Sequence, residues 1–159
     1  MTIPTVEFVF VMTFLPILAV TAFLDLRDMR IPNALSLAGL LLFAVSLPFI
    51  GFDEWMLRAM IGAIVFSLCF GLFAIGWFGG GDAKILPVTS LFVPAAMLQV
   101  FMMSFAFAMT LGMIGIWLAR LQFSRADASW VSMQPGAGFP MGISIAASLP
   151  LTIVFAQLL

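Results

Sequence analysis

Long apolar runs, each near the length of a membrane crossing and separated only by short charged or glycine-rich breaks, restrict this chain more than any other feature. The first covers residues 6–24 and gives way to Asp25-Leu26-Arg27-Asp28-Met29-Arg30. A second covers about 34–50 and ends at Gly51-Phe52-Asp53-Glu54, and a third covers 57–78, with Trp55 and Trp77 placed as interfacial anchors. Composition agrees. Hydrophobic residues make up 64% of the chain, charged residues 8%, and mean hydropathy is +1.25, against roughly 25% charged residues in soluble domains. With 159 residues and about 20 per crossing, the prediction is an all-α membrane protein. It is a single multi-pass domain over 1–159, folded as a polytopic bundle of about six transmembrane helices.

Residues 85–118 remain apolar for too long to be one crossing of a ~30 Å core at about 1.5 Å per residue. Charge placement separates two short spans from one tilted helix. A break near Pro94-Ala95-Ala96 puts Arg27, Arg30, Lys84, Arg120 and Arg125 on one side and leaves only Arg58 opposite, which satisfies the positive-inside rule. A single span would move Arg120 and Arg125 beside Arg58. Six helices are therefore expected, with both termini outside, both aspartates at the cytoplasmic face, and a short fourth helix. Residues 122–138, which include Arg125, Asp127, Ser129, Ser132, Gln134 and Pro135-Gly136-Ala137-Gly138, read as a cytoplasmic loop leading into a last span over 139–158. Met1-Thr2-Ile3-Pro4-Thr5-Val6-Glu7 has no Lys or Arg, so the first run is expected to be a retained helix rather than a cleaved signal.

Absent residue types exclude whole chemistries. Without histidine the chain builds no Ser-His-Asp triad and no HExxH zinc site. The lone Cys69 forms neither an internal disulfide nor a CxxC clip, and packs as a small hydrophobe. Net charge of −1 provides no basic surface, so nucleic acid is set aside as a partner. No metal and no cofactor are predicted.

Two carboxylates remain. Asp25 and Asp82 each lie where an apolar run ends, and burying an ionisable group there is costly enough to make it a candidate functional site. Aspartyl proteolysis needs one ionised carboxyl to take a proton from water and one protonated carboxyl to polarise the scissile carbonyl, and the titration belongs to the pair. Gly79-Gly80-Gly81 before Asp82 suits a sharp turn with positive φ or a close backbone approach. Each acid also has a plainer reading. Asp82 could cap the next helix, and Asp25 could be a hydrated acid paired with Arg27 or Arg30. Asp28 is the nearest competing carboxylate, and Lys84 either tunes Asp82 or snorkels to lipid phosphate. A non-catalytic bundle, such as an assembly subunit or a small ion-coupled transporter, would use the same carboxylates for an ion.

Taken together, the motifs resemble a known family. Asp25-Leu26-Arg27-Asp28-Met29-Arg30-Ile31-Pro32-Asn33 is similar to the first-aspartate motif of the type IV prepilin peptidases, and Gly79-Gly80-Gly81-Asp82-Ala83-Lys84 is similar to their GxGD motif. Phe139-Pro140-Met141-Gly142-Ile143-Ser144 resembles the Pro-x-Gly start of the family's last helix. The resemblance implies a membrane-embedded aspartic endopeptidase of the bacterial inner membrane, with Asp25 and Asp82 as the catalytic pair and Gly79 and Gly81 shaping the turn. The implied substrate is a prepilin-like membrane protein whose short basic leader is cut after a Gly, just before an apolar helix. The chain begins directly with its first span and so resembles the short form associated with Flp pili and tight-adherence secretion, without the CxxC region linked to N-methylation. Archaeal-type preflagellin peptidases and other GxGD proteases are the neighbouring enzyme readings.

Overall fold

The structure, a computed structural model, describes residues 5–122 and 130–158. Its described residues form seven α-helices and no strand: α1 (Thr5–Asp28), α2 (Asn33–Val45), α3 (Leu47–Ile50), α4 (Phe52–Ala74), α5 (Asp82–Leu91), α6 (Leu98–Gln122) and α7 (Met141–Leu158). Four of these stretches, Glu7–Asp28, Phe52–Ala74, Ala95–Gln122 and Met141–Leu158, are long and apolar enough to cross a membrane. At about 1.5 Å per residue, α2 and α5 reach only about 20 Å and 15 Å, short of a ~30 Å core. The fold is an all-α multi-pass membrane bundle.

Helix ends follow local chemistry. Pro48 would clash with the carbonyl of Ala44 in a continuous helix, and α2 stops at Val45 before the one-turn α3. Gly51 then turns the chain at φ 87° into α4, a value that an L side chain rarely adopts. Pro94 disfavours helix at Val93, so the long apolar stretch is two helices, α5 and α6, joined through the 3-10 turn Ala95–Met97. That is the break expected from the charge pattern. The first helix exceeds expectation: it runs to Asp28 and carries Asp25 inside it, ending where Met29 takes φ 52°.

Cross-helix contacts fix the directions of the helices. Arg58 near the start of α4 binds Glu7 near the start of α1, and Glu54 accepts the Ala95 N–H from the α5–α6 connection. These elements therefore meet at one end of the bundle. At the other end the C-terminal part of α1 meets the start of α7 through Asp25 and Gly142, and the start of α5 meets the start of α2 through Lys84 and Asn33. The chain thus runs up and down, with Arg58 at one end and Arg27, Arg30, Lys84 and Arg120 at the other. Arg125, Asp127 and Ser129 lie outside the described residues.

Aromatic rings tie the helices together toward the Arg58 end. Phe14 of α1 stacks on Phe92 at 4.1 Å, Phe92 meets Phe43 of α2 edge-on at 6.2 Å, and Phe43 stacks on Trp55 of α4 at 5.0 Å. Trp55 also donates its indole N–H to the Phe43 carbonyl at 3.1 Å. Its role is therefore helix-to-helix packing rather than the interfacial anchoring expected of it. Trp77, 79% exposed, is left free for that. Residues 130–138 were expected as a simple polar loop. Their 3-10 turn Val131–Met133 instead packs on α1, where Trp130 meets Phe23 edge-on at 6.0 Å.

Candidate active site

Asp25 lies on the last turns of α1 and Asp82 is the first residue of α5, 57 positions further along the sequence. Both are buried, at 5% and 8% exposure. Both line one open cavity of about 890 Å³, whose walls also include Arg30, Gly79, Gly81, Met109 and Phe139. The plainer readings of the two acids do not describe this arrangement. The helix that begins at Asp82 has Gly81 as its N-cap residue and no side-chain cap bond. Among the described residues, Asp82 Oδ1 is buried without a hydrogen-bond partner. Asp25 is buried rather than exposed at a helix end, and among the described residues it pairs with no arginine: its Oδ2 accepts the Gly142 N–H at 2.7 Å, while Arg27 pairs with Asp28.

Gly142 sits in the first turn of α7, where backbone N–H groups have no intrahelical partner and the helix end carries partial positive charge. One of these free donors is aimed at Asp25. A Cβ at Gly142 would lie 2.8 Å from Asp25 Cβ and 2.9 Å from Oδ2, so only glycine lets the amide approach this closely. The start of α7 is held in turn by Arg120 at the end of α6, whose guanidinium donates to the Ser132 carbonyl at 3.0 and 2.7 Å and to the Gly138 carbonyl at 2.7 Å. Neither Gly142 nor Arg120 was among the expected site residues. The Pro-x-Gly segment was the available signal for Gly142. Arg120 carried none beyond its charge.

Of the two reasons expected for the glycine turn, positive φ and close approach, the structure shows the second. None of Gly79, Gly80 and Gly81 has positive φ; that conformation falls on Gly76, at φ 79°. Close approach is the reason for glycine at two of the three positions. A Cβ on Gly79 would collide with the Asp82 carboxylate, and one on Gly81 would sit 2.8 Å from Ile31 Cβ. Gly80 is less constrained, with the Phe73 ring 3.1 Å away.

The two supporting candidates lie elsewhere. Asp28 has a side chain 47% exposed and pairs with Arg27 at 3.5 Å, outside the residues that line the cavity. Lys84 donates to Asn33 Oδ1 at 2.9 Å and faces a neighbouring groove rather than the aspartates. Among the described residues no group of three or more His, Cys, Asp or Glu side chains is placed to hold a metal ion.

The family model described as the type IV leader peptidase family matches residues 12–120, well over half of the chain and inclusive of both aspartates. Comparison with curated proteins and with solved structures found no match. The matched range stops short of α7, so Gly142 joins the site through its bond to Asp25 and not through the match. With both acids inside the matched region and brought to one cavity, the chain belongs to the type IV leader peptidase family.

Proposed function

We propose that this protein is a membrane-embedded aspartic endopeptidase that removes a short basic leader from prepilins of the Flp type, working at the cytoplasmic face of a bacterial inner membrane with Asp25 and Asp82 as its catalytic pair. One observation carries the reading: two carboxylates from separate helices are buried in the same open cavity, and one of them has an oxygen that no described residue satisfies. An unpaired buried carboxyl oxygen costs stability; a water in the cavity would donate to it, and in the protonated acid it would itself donate to a scissile carbonyl.

The chemistry needs one proton shared by the pair. The ionised carboxyl accepts a proton from water as the water oxygen bonds to the scissile carbonyl carbon, and the protonated carboxyl gives its proton to the carbonyl oxygen, leaving a gem-diol. On collapse the carboxyl that took the water's proton passes it to the amide nitrogen as the C–N bond breaks, and the other carboxyl takes a proton back from a diol hydroxyl as the new C=O forms. Gly142 N–H holds Asp25 Oδ2 in place, so the carboxyl that lines the cavity is fixed before a substrate arrives. Met29, Met109, Met113 and Met141 give the cavity adaptable apolar walls, suited to the apolar residues beyond a cleavage point.

Coexpression with a candidate pilin that bears a basic leader tests the reading by electrophoretic mobility. The expected result is a faster-migrating pilin with the wild-type chain and none with Asp25→Asn or Asp82→Asn. Processing by both variants at wild-type rate would overturn it in favour of a non-catalytic bundle. Sidedness is tested separately. In a Cys69→Ser background, Gln134→Cys should resist a membrane-impermeant thiol reagent in intact spheroplasts and react after lysis; labelling from outside would reverse the proposed topology.

A further inference from the structure

A second concavity, of about 600 Å³, lies between α2, α4 and α5 and opens on the outer surface of the bundle, where Leu37, Leu40 and Phe66 are exposed. Its walls are apolar for most of their length, from Leu40 and Phe43 to Trp55 and Ala59. Polar groups gather only at the end nearest the aspartates. There Lys84 Nζ bonds Asn33 Oδ1, and Ser36, one turn along α2, lines the same groove. Ser36 is 7% exposed and its Oγ has no hydrogen-bond partner among the described residues. A serine in a membrane helix ordinarily returns its proton to a carbonyl one turn back, as Ser67 does to Ala63 and Thr89 to Ile85 in this chain. Ser36 does not: the residue lines the groove, and its Oγ lies buried in the groove wall without a partner among the described residues.

Charge makes the cluster one-sided. Lys84 makes no ion pair among the described residues, and no carboxylate lines the groove. An ammonium, the free N–H protons of an amide and a serine hydroxyl all ask for acceptor oxygens. None offers an acidic partner to a headgroup amine. Beyond them about 15 Å of α2, from Asn33 to Phe43 at about 1.5 Å per residue, forms apolar wall. We propose that this groove is a binding site for a phospholipid with an anionic headgroup, the phosphate on Lys84 and Asn33, the glycerol ester region on Ser36 and one acyl chain running toward Trp55. The site stands apart from the catalytic reading: Lys84 and Ser36 are outside the aspartate cavity, although Asn33 borders both.

Trp55 provides the reporter. With Trp77, Trp117 and Trp130 changed to Phe, the full chain reconstituted in phosphatidylcholine vesicles has one tryptophan, at the tail end of the groove. Brominated acyl chains quench it on contact. Brominated phosphatidylglycerol should half-quench Trp55 at a mole fraction about fivefold below that of brominated phosphatidylcholine, the factor expected for one lysine beside an anionic headgroup. Lys84→Gln should bring the two curves together, and Lys84→Arg should keep them apart. Identical curves for the wild-type groove would overturn the proposal without need of any variant. So would protection of Trp55 from both lipids by an added apolar helical peptide, which would assign the groove to a polypeptide.

Discussion

The two ends of the bundle treat buried charge in opposite ways. At one end Arg58, 2% exposed, is held by Glu7 at 2.5 Å and by Glu54 at 2.8 Å, and Glu54 also takes the Ala95 N–H at 2.9 Å. Cation, anions and backbone donor are matched, and three separate segments are tied together. At the other end Asp25 and Asp82 share a cavity with, among the described residues, one backbone N–H between them and one buried oxygen left over. Buried groups that hold a fold are satisfied within it, because an unpaired charge at low dielectric is expensive. A site that must bind something else is left incomplete. The contrast separates structural from functional acids by the partners they lack.

Exchanging the effects of mutation between the two ends is the most direct way to break that contrast. Asp25→Asn and Asp82→Asn should each lower pilin processing by about 10²–10⁴-fold, the usual contribution of a positioned acid or base, with membrane abundance unchanged. Arg58→Ala should do the reverse. It leaves Glu7, 13% exposed, and Glu54, 34% exposed, without their cation, a loss smaller than the roughly 3–5 kcal/mol of a fully buried pair because water reaches Glu54, and should show first as reduced membrane abundance and an earlier thermal midpoint in detergent. Normal abundance in Arg58→Ala together with loss of protein in Asp82→Asn would invert the assignment of the two ends.

The glycines sharpen the comparison at the catalytic end. Gly79→Ala drives a methyl into the Asp82 carboxylate, and Gly142→Ala drives one against Asp25. Displacement of a reacting group by about 1 Å costs about 10²-fold, so both variants should lose activity on that scale. Gly81→Val should lose comparable activity through Ile31, and Gly80→Ala, which needs only a small shift of the Phe73 ring, should lose least. Processing rate normalised to membrane abundance is the measurement. Equal tolerance at all four positions would reduce the turn to a connector.

Arg120 tests whether the catalytic end depends on a clamp of its own. It binds the Ser132 and Gly138 carbonyls just before the helix that supplies Gly142 to Asp25. Bonds from a charged donor contribute about 1.5–3 kcal/mol, less where the side chain is partly exposed, as here. Arg120→Gln should therefore reduce turnover about tenfold while KM for the pilin changes little. An unchanged turnover number would confine Arg120 to loop packing.

Hydropathy and proline reported the order of the helices, and the charge pattern reported the break before α6. Both signals are local. Neither could place Asp25 inside α1, because a hydropathy run ends where charge begins, while the helix continues through the buried Asp25 and on through the exposed Arg27 and Asp28. The three glycines were legible as a constraint with two possible causes: glycine tolerates positive φ and close approach alike, and only the position of the Asp82 carboxylate and Ile31 separates the two. Lys84 sits two residues after Asp82, yet it faces the other groove, since two helical residues point about 200° apart. Gly142 meets Asp25 across 117 residues of sequence, and Arg58 meets Glu7 across 51. Such pairings follow from the packing of helices, which no local pattern encodes.

The smallest expected effect is the most discriminating for the choice of carboxylate. Asp28 is three residues after Asp25 on the same helix, carries the same group, and is also near Arg27 and Arg30, so in the sequence only the offset of Asp25 to Ile31-Pro32 in the family-like motif ranks it first. The structure separates the two by environment. Asp28 is 47% exposed and its partner Arg27 is 57% exposed, at 3.5 Å. A surface pair of this kind contributes about 0–1 kcal/mol. Asp28→Asn removes it without touching a cavity wall. Processing should remain within about twofold of wild type, the size of a few tenths of a kcal/mol in a rate, and membrane abundance should not change. A loss with Asp28→Asn as deep as that with Asp25→Asn would show that exposure does not distinguish the acids at this end, and the contrast between satisfied and unsatisfied carboxylates would no longer identify the catalytic pair.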